Sequence, residues 1–268
     1  MAWSIYFWTM VVIYVVFHAT LAIIVSLFDS SGRINGAVCR SWARNVLRTA
    51  RVKVHIDGTD IADCPGPRIY MSNHQSYFDV ISLMAHLPDN ARFVAKKSLE
   101  YIPFFGQGMR AVGTVIIDRR KPELARRTLS EIAESNMGKG VGVIIFPEGT
   151  RSRDGKLGLF KKGGFVLAIQ TGATIVPVGI SGSRHIMPAD GYRVKPGEIF
   201  ISIGDPISTD GFSIEDKDAL IEKTQKAIED LMEKSSKKEL SKVSDNKQTS
   251  AEAENTVPAE GSTASPPV

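Results

Sequence analysis

From Ala2 to Phe28 the chain carries no Asp, Glu, Lys or Arg, and its first charged side chain is Asp29. A run of this length is enough to cross a hydrocarbon core of about 30 Å as a helix. Trp3, Tyr6, Phe7 and Trp8 crowd one end, as an interfacial aromatic belt would. No basic residue precedes the run and no clear small-x-small site follows it, which argues against a cleavable signal peptide. From Ile34 the pattern turns amphipathic. Arg40, Arg44, Arg48 and Arg51 recur at helical spacing, while Val38, Trp42, Val46 and Leu47 form much of another face. A basic amphipathic helix beside an apolar one predicts a membrane-anchoring segment over residues 1–51, in contact with anionic headgroups. If the apolar helix spans, the arginines behind it place the remainder in the cytoplasm. If it does not, both helices lie in one leaflet.

Between about Val52 and Ser208 the pattern alternates between short apolar or alternating runs and helical ones. Strands are predicted at 52–56, 68–71, 92–95, 113–118, 141–146, 174–180 and 199–203. Helices are predicted after Asp79, from Pro122 to Gly138 and over 165–170, with an aromatic, Gly- and Pro-containing loop at Tyr101–Gln107. Interleaved short strands and helices predict an α/β fold with a mixed, largely parallel sheet covered by helices. A last helix, opened by Ser213 and Asp216, presents Leu220, Ile221, Ala227, Ile228, Leu231 and Met232. From Ser235 onward aromatics vanish and Ser, Lys, Glu, Thr and Pro dominate. This predicts a catalytic domain over 52–234 and a disordered polar tail over 235–268.

Composition adds little to that plan. Of 268 residues 43% are hydrophobic, enough for a sizeable core, and the formal charge of +4 is mild. No nucleic-acid partner is expected. Cys39 and Cys64 lack CxxC spacing and a nearby histidine pair, so reduced thiols are the default and structural zinc is not expected.

The candidate chemistry lies at strand ends. Asn73-His74-Gln75-Ser76-Tyr77-Phe78-Asp79 follows the strand at 68–71 and precedes an apolar helix. Five residues apart, His74 and Asp79 would sit roughly 140° from each other on one helix. They can meet only if His74 lies in the turn and Asp79 reaches back from the first helical turns. Asp79 would then accept the proton on one ring nitrogen and leave the other as a base.

A second block, Phe146-Pro147-Glu148-Gly149-Thr150-Arg151-Ser152, leaves another apolar strand, where α/β sheets place their ligand crevice. Gly149 permits close backbone approach and Arg151 offers a planar fork suited to phosphate. Glu148 could anchor an acceptor hydroxyl or hold a basic side chain. Arg119 and Arg120, at the end of the 113–118 strand, could converge on the same phosphate. Lys161 and Lys162 are weaker candidates.

NHQSYFD, GTVIIDR, FPEGTRS and IVPVGI, in that order over roughly residues 50–210, resemble the glycerolipid acyltransferases, and in particular the bacterial 1-acyl-sn-glycerol-3-phosphate acyltransferases. The resemblance implies acyl transfer from acyl-CoA or acyl carrier protein to lysophosphatidic acid, without cofactor or metal, at the cytoplasmic face of the bacterial inner membrane. His74 would be the base and Asp79 its orienter. Arg119 and Arg151 would hold the phosphate, with Glu148, Gly149 and Thr150 shaping the acceptor site and Asn73 and Ser76 supporting the turn and the substrate. Another lysolipid or glycerol 3-phosphate as acceptor, a His74/Asp79 metal site and a non-catalytic lipid-binding adaptor are the alternatives.

Overall fold

The computed structural model of the chain describes residues 2–28, 32–60, 66–87, 91–117 and 142–255. Two helices open it, α1 (Ala2–Ser26) and α2 (Arg33–Ala50). β1 (Val52–Gly58), β2 (Arg68–Ser72), α3 (Tyr77–His86), β3 (Arg92–Lys96), a 3-10 turn (Lys97–Tyr101), α4 (Phe105–Ala111) and β4 (Val115–Ile117) follow. After the undescribed segment come β5 (Val143–Ile145), α5 (Gly163–Thr171), β6 (Thr174–Ser181), α6 (Ser183–Ile186), β7 (Gly197–Ile203) and α7 (Lys217–Asn255). The helix predicted from Pro122 lies outside the described residues.

The strands form one seven-stranded sheet in the order β1-β7-β6-β2-β5-β3-β4. Every pairing is parallel except β6 with β7. The sheet is thus mixed and largely parallel, as expected. Side chains alternate between its faces. Tyr70, Ile144, Val176 and Val178 pack with Phe7, Ala43, Val46, Leu47, Phe78 and Leu83, under α1–α3. Ile69, Met71, Val143, Ile145 and Ile175 pack with Phe165, Leu167, Leu220 and Ile228, under α5 and α7. β2 is buried at all five positions because helices cover both of its faces.

α1 is long and apolar enough to cross a membrane, and it touches the rest of the chain near both of its ends. Trp8 Nε1 donates to the Tyr192 carbonyl at 2.9 Å, Val194 N–H donates to Ser4 Oγ, and Phe7 lies against Phe78. Nearer its other end Ala19 abuts Gly108, where a Cβ would stand 2.7 Å from that of Ala19. The outer face leaves Ile5, Val12, Ile13, Phe17 and Ile24 bare.

Two expectations need correction. The last three residues of the loop expected at Tyr101–Gln107 are the start of α4. Gly106 and Gly108 lower helix propensity there, but both are required by packing: a Cβ on Gly106 would strike the Glu100 carbonyl. The helix opened by Ser213 and Asp216 does not stop at 234. α7 continues through Asn255, and Ser235, the first residue assigned to a disordered tail, is fully buried. Its Oγ lies within hydrogen-bonding distance of the Gly179 carbonyl, at 3.2 Å, and of Ser202 Oγ, at 2.9 Å. Lys234 and Lys238 pair with Asp57 on β1 at 2.8 and 2.7 Å, and Lys242 with Glu198 on β7 at 3.3 Å. A polar stretch without an apolar stripe has no core of its own, but ion pairs and the buried Ser235 dock it on the sheet. Residues 256–268 lie outside the described part.

Candidate active site

β2 is the central strand, with β5 on one side and β6 on the other, all parallel. Their carboxyl ends share one sheet edge, which brings together segments far apart in the chain. The His74 turn leaves β2 and the Phe146–Ser152 loop leaves β5, so the two motifs face each other.

α3 begins where its cap requires. Ser76 Oγ accepts from the Phe78 N–H at 3.2 Å, while the Asp79 side chain, three positions on, accepts from the Ser76 N–H. Asp79 is fully buried, and its Oδ2 takes three donors: His74 Nδ1 at 2.9 Å, Gln75 N–H at 2.6 Å and Ser76 N–H at 2.8 Å. A carboxylate oxygen accepts, so in the tautomer that fits this contact Nδ1 donates to Asp79 and Nε2 faces away from it. His74 thus lies in the turn and Asp79 reaches back to it. The ring also stacks on Phe146, with centroids 4.0 Å apart and planes inclined by 21°. Nε2 has no hydrogen-bond partner among the described residues.

Glu148 holds the same turn from the other motif. Its Oε1 accepts the His74 N–H at 2.8 Å and its Oε2 the Gly158 N–H at 2.9 Å. Ser152 N–H returns a bond to the His74 carbonyl at 2.7 Å. Burial pushes the Glu148 carboxyl above its ordinary range, against the pull of the Gly158 and His74 amides. Both oxygens are engaged by backbone, so Glu148 braces the His74 turn.

Asn73 and Ser76 are likewise internal. The Asn73 side chain exchanges two hydrogen bonds with Ile180 on β6, at 2.9 and 2.8 Å, and is buried. Ser76 Oγ donates to the Met187 carbonyl at 2.7 Å. Both side chains support the turn from within the fold.

Arg151 is half-buried, and its guanidinium carbon lies 3.9 Å from the Tyr77 ring centroid. Thr150 is exposed at the tip of the loop. Gly149 adopts φ +71°, and the Lys161 side chain runs over it, 2.7 Å from where a Cβ would place its carbon. Lys161 N–H donates to the Pro147 carbonyl, which fixes that segment to the loop. Lys162 instead pairs with Asp218 of α7 at 3.0 Å. Arg119 and Arg120 lie outside the described residues. Sequence reasoning missed Phe146 and Tyr77 as ring platforms, although both stand inside the two motifs it singled out.

The chain is similar to known proteins in sequence and fold. A sequence profile of the acyltransferase family matches residues 52–181. A chloroplastic 1-acyl-sn-glycerol-3-phosphate acyltransferase of Arabidopsis thaliana is 34% identical over 186 residues, covering 68% of this chain and 51% of the plant protein. The chain thus spans about half the length of the plant relatives it matches. The alpha form of that enzyme from Mus musculus is 29% identical over 80% of this chain and 76% of its own. The solved 1-acyl-sn-glycerophosphate acyltransferase of Thermotoga maritima superimposes with a TM-score of 0.69 at 25% identity, over 84% of this chain and 94% of that one. The chain thus carries an acyltransferase-family domain over residues 52–181, the part that holds both the His74 turn and the loop that braces it.

Proposed function

We propose that the protein transfers a fatty acyl group from an acyl thioester to the sn-2 hydroxyl of 1-acyl-sn-glycerol 3-phosphate, giving phosphatidic acid. The observation that carries this is the His74 Nδ1 to Asp79 Oδ2 contact of 2.9 Å, with the opposite ring nitrogen open on the sheet edge that also presents Arg151. His74 Nε2 takes the proton from the acceptor hydroxyl as its oxygen attacks the thioester carbonyl. Asp79 stabilises the imidazolium that forms, a contribution of about 10²–10⁴-fold for positioned base catalysis. Collapse of the tetrahedral intermediate expels the thiolate, which takes the proton back from His74. The hydroxyl is the nucleophile, so no acyl-enzyme forms. Arg151 receives the acceptor phosphate.

The substrates are membrane lipids, and an apolar surface beside the site suits them. The bare face of α1, with Tyr101, Ile102 and Phe104 before α4, would sit in acyl chains, while exposed Arg44 and Arg48 of α2 would meet anionic headgroups. The contacts of both ends of α1 with the domain favour its lying in one leaflet, at the cytoplasmic face. Coenzyme A and acyl carrier protein are both suitable donor carriers.

The test is acyl transfer from a labelled long-chain thioester to lysophosphatidic acid in detergent, with each donor carrier, beside a folded His74→Ala variant. Phosphatidic acid from wild type alone supports the reading. None from wild type with either donor refutes the acceptor assignment, and transfer to other lysolipids is then to be measured.

A further inference from the structure

Arg151 is placed by a ring and not by a carboxylate. Its guanidinium lies over Tyr77 at 3.9 Å. Among the described residues it makes no ion pair or side-chain hydrogen bond, and its Nη1 is buried without a partner. The two ways of holding an arginine differ in what they leave. A carboxylate takes the in-plane N–H donors and cancels the charge. A ring face takes only the flat side, so every in-plane donor and the full charge remain for a ligand. The nearby carboxylate that could have competed, Glu148, is occupied by the amides of His74 and Gly158.

The stacking is reciprocal. Phe146, from the motif that carries Arg151, lies under His74 at 4.0 Å. Tyr77, from the motif that carries His74, lies under Arg151. Each segment supplies the platform for the other's functional side chain, so base and phosphate fork cannot move independently. Tyr77 is half exposed, and its hydroxyl has no hydrogen-bond partner among the described residues. The ring, not the hydroxyl, is therefore the working part, and the residue contributes little to the core.

We propose that Tyr77 is a positioning residue for Arg151 that confers preference for acceptors bearing a phosphomonoester near the reacting hydroxyl. This rests on the acceptor reading above. It requires that loss of the ring weaken recognition of the phosphate while the His74–Asp79 pair stays intact.

The experiment compares wild type, Tyr77→Phe and Tyr77→Leu with lysophosphatidic acid and with monoacylglycerol, which lacks the phosphate, as acceptors. Tyr77→Leu is expected to raise KM for lysophosphatidic acid about three- to thirtyfold, with kcat and the donor KM little changed. Tyr77→Phe is expected to keep the wild-type KM, and the rate with monoacylglycerol is expected to be the same in all three proteins. Binding of short-chain lysophosphatidic acid by equilibrium dialysis, in a His74→Ala background, gives the same comparison without turnover. An unchanged KM and affinity in Tyr77→Leu overturns the proposal, as does a Tyr77→Phe variant as impaired as Tyr77→Leu, or an equal loss with both acceptors. Wild type forming no phosphatidic acid refutes the acceptor reading itself. An active wild type with an indifferent Tyr77→Leu refutes only the role of the ring.

Discussion

Glu148 accepts the backbone N–H of His74 at 2.8 Å, so a carboxylate from the loop after β5 fixes the turn after β2. With Asp79 gripping the same turn through Gln75 and Ser76, His74 is held from two sides. The imidazole orientation is thereby set before any substrate arrives, which is what efficient proton transfer requires.

Glu148→Gln keeps the shape but offers one acceptor oxygen where two are used. Its amide nitrogen would face either the His74 or the Gly158 N–H. An unmet buried hydrogen bond costs about 1–3 kcal/mol. We expect kcat to fall about tenfold or more, measured beside circular dichroism to show that the fold persists. The wild-type carboxyl is raised by burial, so the native state binds the extra proton. Its contribution to stability is full below its ordinary value of 4.5 and is lost as pH rises through the folded value. The Gln variant should lack that segment of the stability-versus-pH curve.

Asp79→Asn removes the charge that fixes the His74 tautomer and stabilises the imidazolium. A fall in kcat of about 10²–10⁴-fold is expected, with acceptor KM little changed. The capping box is weakened as well, by about 1 kcal/mol, which thermal unfolding would register. A variant with wild-type kcat would mean that His74 is not the base.

Gly149→Ala asks an L-residue to adopt φ +71° and sets a Cβ 2.7 Å from Lys161 Nζ. The lysine end can swing away, but the backbone strain of about 1–2 kcal/mol stays. A lower Tm and a raised acceptor KM are expected, because the loop that carries Arg151 must shift. Gly172→Ala, also at positive φ but with nothing within 4 Å of its Cβ, is the control for strain alone.

Acid should loosen α7 from the sheet. Burial pushes the Asp57 carboxyl up, but hydrogen bonds from Lys234, Lys238 and Ser202 outweigh it and leave the group below its ordinary 3.8. Glu198 is lowered in the same way by His55 and Lys242. For a depressed carboxyl the stabilisation is present above the unfolded value and lost as pH falls through the folded one. Asp57→Asn should therefore lower Tm near neutrality, and the gap to wild type should close in acid below 3.8. A gap independent of pH would assign the docking of α7 to packing instead.

Local features of the chain were legible because local physics sets them. The charge-free run of α1, the basic stripe of α2, the apolar strands and the five-residue offset of His74 and Asp79 each depend on neighbours in sequence. That offset allowed one arrangement only, a histidine in a turn with a carboxylate reaching back from the helix, and the fold adopts it. The order of the motifs pointed to the family for the same reason. What tertiary structure alone decided is which residues serve each other across the sheet. β2 and β5 are neighbours although many residues separate them, and that adjacency turns Glu148 into a brace, Phe146 into a ledge for His74 and Tyr77 into one for Arg151. The same holds for α7. Its lysines look like a solvated tail until Asp57 and Glu198, far away in the chain, come within ion-pairing distance. Composition records what a segment contains, whereas its partners are fixed by the register of the sheet and the packing of helices on it.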